Sequence, residues 1–136
     1  MDYLIFKVSQ SGGTWYRMWH RNHQDMFLLS MFLTDDVGPG SGPDNWIEWI
    51  KDPIDESTGS NFCSLEKEGD FIILGCDLYA PEENCGPIPF KIPKAQLVYI
   101  LEQWKQVRLY RPSEVIIRRQ NNVYEIIQNN NDMPQA

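Results

Sequence analysis

No apolar run in this sequence is long enough to cross a bilayer. The longest, Met26 to Leu33, is interrupted by Ser30 and falls well short of the ~20 residues a spanning helix needs. The first residues, MDYLIFKVS, have no basic segment followed by a long apolar one, so no secretory signal is read and a cytoplasmic location is expected. Cysteine is scarce and odd in number: Cys63, Cys76 and Cys85, with no CxxC pair to frame a structural zinc site. Reduced thiols are expected, although Cys63 and Cys76 would face each other across a hairpin. The glycine-rich loop VGPGSGP lacks the lysine and Ser/Thr of a phosphate-binding loop, and no GxSxG elbow occurs. Bases are also few. Twelve Lys and Arg against nineteen Asp and Glu leave a net charge of −7, which argues against direct nucleic-acid binding and against adsorption to anionic membranes. The same balance favours a cationic partner.

What is present describes a folded globular chain. A hydrophobic fraction of 42% over 136 residues suffices for a core, so a single domain spanning 1–136 is expected, with the polar tail 128–136 frayed. Residues 3–8 and 14–20 read as strands joined through Ser11-Gly12-Gly13. Strict alternation in the second strand puts Trp15, Arg17 and Trp19 on one face and Tyr16, Met18 and His20 on the other. The near-continuous apolar run 26–34 reads as a strand buried on both faces, with a short helix as the alternative. Asp44 is placed to cap a short helix ended by Pro53. On that helix Trp46, Ile47, Trp49 and Ile50 share one side, and Asp44, Glu48, Lys51 and Asp52 the other. Segments 60–67 and 70–78 form a hairpin about Glu68-Gly69. Pro93 suits the first position of a long helix in which Leu97, Ile100, Leu101, Trp104 and Val107 recur at helical spacing, and Pro112 ends it. Residues 114–119 and 123–127 close as a hairpin through Asn121-Asn122. The order implies an α+β fold: a mainly antiparallel sheet, one long helix in the C-terminal half, and one short helix packed on it.

One stretch dominates the charge map. Residues 35–56, DDVGPGSGPDNWIEWIKDPIDE, hold seven carboxylates (Asp35, Asp36, Asp44, Glu48, Asp52, Asp55, Glu56) against the single base Lys51. They account for six of the seven net negative charges. A solvated face usually mixes signs, whereas uncompensated like charges repel and cost stability. The plain reading is a solvated rim with Trp46 and Trp49 in the core. The functional reading makes these seven residues a partner-binding surface for a cationic protein.

Rival sites are weaker. His20, His23 and Asp25 form HxxH…D, which would serve a small metal- or histidine-dependent enzyme. On a strand running into a loop, ordinary hydrogen-bonded or exposed histidines are the simpler account. Lys105, Arg108, Arg111, Arg118 and Arg119 cluster near the end of the chain. They suit salt bridges to the acidic half or exposure on an edge strand better than a phosphate site. A nucleophilic role for Cys85 would need a histidine from far away in sequence.

Residues 88–127, IPFKIPKAQLVYILEQWKQVRLYRPSEVIIRRQNNVYEII, combine a proline-started amphipathic helix with a central tryptophan and a Pro-x-Glu-hydrophobic hairpin. This pattern resembles segments of the small acidic immunity proteins of bacterial polymorphic-toxin and contact-dependent growth inhibition systems. The resemblance implies a non-catalytic cytoplasmic protein, without a cofactor or metal, that binds and neutralises a cognate toxin domain, often a basic nuclease. It carries no shared binding residues. An adaptor for an endogenous basic protein shares most of these expectations.

Overall fold

Alternation along the chain builds the first sheet. In β7 (Glu114–Gln120) Val115, Ile117 and Arg119 are buried while the residues between them are half-exposed. A computed structural model describes residues 1–8, 16–37, 42–53, 57–59, 63–76 and 88–129. Strands β1 (Asp2–Val8), β2 (Tyr16–Arg21), β7 and β8 (Val123–Asn129) form an antiparallel sheet in the order β2-β1-β7-β8. Asn121 and Asn122 hold φ of 53° and 62° in the β7–β8 turn, a backbone region that Asn tolerates better than most residues. Gln128 and Asn129, expected to fray, belong to β8; the loop 11–13 and residues 130–136 lie outside the described residues.

A second antiparallel sheet has the order β3-β4-β5-β6, from β3 (Ser57–Gly59), β4 (Ser64–Glu68), β5 (Phe71–Gly75) and β6 (Phe90–Pro93). The β4–β5 hairpin turns at Gly69, whose φ of +59° suits glycine. Ser64 pairs with Gly75, so Cys63 and Cys76 stand just beyond the ladder on opposite arms, both as free thiols. The class is α+β as expected, but the strands divide into two sheets rather than one.

The run 26–34 is helical, which corrects the strand reading. A short 3-10 turn (Gln24–Met26) leads into α1 (Phe27–Met31) and then a π-helical turn (Phe32–Asp36). Met26, Leu28, Leu29, Phe32 and Leu33 are all buried, so the segment is apolar on nearly every side because it passes through the core. From 26 to 33 it contains no β-branched residue, and Leu and Met are strong helix formers. His23 starts it by accepting from the Asp25 amide at 3.4 Å. Ser30 and Thr34 donate their hydroxyls back to the carbonyls of Phe27 and Ser30.

Helix α2 (Gly42–Lys51) begins where only glycine fits: a Cβ at Gly42 would lie 1.8 Å from the Val37 carbonyl oxygen. Asp44 therefore sits in the first turn rather than at the cap, where it still opposes the helix dipole. In α3 (Lys94–Tyr110) Pro93 is the residue before the helix, closing β6, and Arg111 ends it in the left-handed region at φ 52°. Leu97, Ile100, Leu101, Trp104 and Val107 are buried, as their spacing predicts. Helix α2 lies along α3, and Trp104 meets Phe6 edge-on at 5.2 Å. Phe90 of β6 meets Tyr124 of β8, so one hydrophobic cluster draws on both sheets and all three of these helices. Among the described residues, no helix is long and apolar enough to cross a membrane.

Candidate functional site: the acidic rim of helix α2

Aromatic packing fixes the orientation of α2. Trp46 lies edge-on to Phe32 at 5.1 Å and to Trp49 at 5.9 Å, while Pro43 and Ile50 are buried. Lys67 of β4 places its ammonium 4.6 Å from the Trp49 ring centroid and donates to the Asp52 carbonyl, which ties the end of α2 to the second sheet. The Trp49 indole N–H is buried with no hydrogen-bond partner among the described residues. With this inward face fixed, Asp44 and Glu48 are exposed along the other side and Asp52 is half-buried at its end.

The seven predicted carboxylates do not behave alike. Asp44 pairs with Lys105 of α3 at 2.7 Å, so part of its charge is compensated; this is one of the expected bridges from the basic cluster to the acidic half. Glu48 is exposed and enters no ion pair among the described residues. Asp36, at the end of the π-helical turn, accepts the Cys63 amide at 2.7 Å and joins that turn to β4. Asp55 and Glu56 lie outside the described residues, as does the side chain of Asp35. The structure thus places Asp44 and Glu48 on α2 with Asp52 just past its end, and gives Asp36 a structural bond.

A second polar centre lies in the first sheet. Arg119 points inward, in phase with Val115 and Ile117, with its side chain only 10% exposed. Its guanidinium donates from Nε and Nη2 to Asp2 Oδ2 at 3.0 and 2.6 Å, and from Nη1 and Nη2 to the two Asp25 oxygens at 3.0 and 3.1 Å. These hydrogen bonds hold the Asp2 carboxyl below its usual range. Burial alone would lower the affinity of Arg119 for its proton, but the bonds to Asp25 and Asp2 outweigh it and the net direction is upward. Burial pushes the Tyr124 phenol up, and the neighbouring guanidinium opposes that. The Tyr124 hydroxyl is buried and makes no hydrogen bond of good geometry among the described residues.

This network answers two sequence expectations. Arg119 is on a central strand, not an edge, and it clamps the start of β1, the turn before α1 and β7 together. The signal for this was present: its two-residue spacing from Val115 and Ile117 marks an inward position. His23 Nδ1 lies 2.6 Å from Asp25 Oδ1, and His20 tilts against Tyr3 with centroids 5.7 Å apart. No group of three or more His, Cys, Asp or Glu side chains arranged to hold a metal ion occurs among the described residues. No family model matches the chain, and neither a curated protein nor a solved structure is significantly similar to it.

Proposed function

We propose that this chain is a non-catalytic immunity protein that binds and neutralises a cognate toxin domain, a basic nuclease, in the cytoplasm. The observation that carries the reading is the rigid display of Asp44 and Glu48 on α2, continued by the half-buried Asp52 just past its end, with the other side of the helix held by Trp46, Trp49 and Ile50. A nuclease groove is basic because its substrate is a polyanion. A fixed row of carboxylates meets the same field, speeds encounter and then occludes the groove. Pre-fixing α2 against α3 spares the ordering cost that a flexible acidic loop would incur on binding. The Asp44–Lys105 pair suits this role: a cationic partner can take over Asp44 and release Lys105 to solvent. Co-expression with the toxin tests the function. Wild-type protein is expected to restore growth, and the combined Asp44→Asn, Glu48→Gln, Asp52→Asn variant to restore it only at higher expression. A folded triple variant that protects as well as wild type would remove α2 from the mechanism.

A further inference from the structure

The two edges of the first sheet are finished differently. On β8 the Tyr124 amide donates to Gln96 Oε1 at 2.9 Å and the Ile126 amide to Tyr99 Oη at 3.2 Å, so side chains of α3 close that edge. On β2, no described side chain closes the backbone between Arg17 and Arg21, and the only described ladder is with β1. Alternate residues of such a strand turn N–H and C=O outward, a template for another strand.

A bulge decides what this edge displays. Ile5 pairs with His20 and Phe6 with Met18, which leaves Trp19 as the extra residue. Trp19 is 57% exposed, and Lys7 Nζ lies 4.6 Å from its ring centroid. Trp19 and His20 therefore share the outer face with Ile5, Ile116 and Ile127, the residues paired across β1, β7 and β8; this corrects the strict alternation expected for β2. The described helices pack on the opposite face, through Leu4, Phe6, Val115 and Ile117.

The charge of this edge is opposite to that of α2. Strand β2 carries Arg17 and Arg21 and no carboxylate, and Lys7 is the register partner of Arg17. Arg17 is exposed and enters no ion pair among the described residues. Bulges and edge cations normally blunt an edge against indiscriminate pairing. Here they also set a selection rule: a strand with carboxylates at alternate positions neutralises Lys7 and Arg17, whereas a neutral or basic strand meets them uncompensated.

We propose that β2 is a second docking surface, accepting an extended acidic segment of a protein partner by strand addition. Trp19 is its apolar anchor, and Lys7 and Arg17 pair the carboxylates. This surface is separate from α2 and stands whether or not the toxin reading does. The test titrates the full chain with a capped seven-residue peptide alternating glutamate and valine, followed by backbone amide NMR. Two controls carry lysine in place of glutamate, or N-methyl groups on alternate amides. Expected are shifts confined to β2 and its neighbours, binding roughly tenfold weaker for Trp19→Ala and for Arg17→Glu, and none for the N-methylated peptide. Both side chains are exposed, so unchanged melting curves would verify that the variants remain folded. Equal binding of the acidic and lysine peptides, tolerance of N-methylation, or shifts centred on α2 would overturn the proposal. So would concentration-dependent self-association that Trp19→Ala abolishes, since the occupant would then be a second copy.

Discussion

Replacing Arg119 with methionine tests how much one buried cation contributes to this fold. Methionine keeps an unbranched apolar stem of similar length near the Phe90 ring, which the guanidinium faces at 6.0 Å. What disappears is the charge and four hydrogen bonds to Asp2 and Asp25. Removing one partner of a fully buried ion pair costs about 3–5 kcal/mol. The Asp2 and Asp25 side chains are 32% and 25% exposed, so water recovers part of that loss, and about 2–3 kcal/mol remains. For a chain of this size that is a fall of roughly 6–12 °C in Tm. The pH dependence carries a second signature. The folded Asp2 carboxyl is depressed below its unfolded value, so its contribution is complete above the ordinary carboxylate range and is lost as pH falls through the folded value. The gap between wild type and Arg119→Met is therefore widest at neutral pH and narrows in acid. Circular dichroism melts at pH 7 and at a pH well below the ordinary carboxylate range, about pH 2, read both effects. A neutral-pH shift under about 2 °C, or a gap that does not narrow in acid, would refute the reasoning.

Three further outcomes follow from single contacts. Gly42→Ala is expected to cost about 1–3 kcal/mol in denaturant unfolding, because its Cβ would meet the Val37 carbonyl and push the start of α2 away. Asp36→Ala is expected to lower stability by about 1–3 kcal/mol, since it removes the charge-assisted bond from the Cys63 amide, while leaving the association rate with the toxin nearly unchanged. Tyr99→Phe frees the Ile126 amide on the β8 edge; a loss of about 1 kcal/mol and faster hydrogen exchange at that amide are expected.

Much of the fold was legible wherever period and punctuation agreed. The 3.6-residue recurrence from Leu97 to Val107, the Asn121-Asn122 turn and the alternation through Val115 and Ile117 each name one structure. The segment 26–34 was ambiguous because an element buried on nearly all sides has no polar phase to reveal its period; only its lack of β-branched residues favoured helix. Strand β6, four residues long, ending at Pro93 and followed at once by α3, gives little alternation of its own and forms through pairing with β5. The charge of the α2 rim was visible in the sequence, and its partition was not. That Asp44 meets Lys105, 61 positions away, and that Asp36 bonds Cys63 are consequences of tertiary packing. That His20 joins Arg17 and Trp19 on the outer face likewise depends on a bulge that no local residue pattern marks.

The central claim is that the α2 carboxylates steer a basic partner, and the most direct measurement is the stopped-flow association rate with the cognate toxin domain across ionic strength. The wild-type rate is expected to fall steeply as salt shortens the screening length. The Asp44→Asn, Glu48→Gln, Asp52→Asn variant is expected to associate roughly tenfold or more slowly at low salt, with a flatter salt dependence and a nearly unchanged dissociation rate. An association rate indifferent both to salt and to these three substitutions would contradict the account.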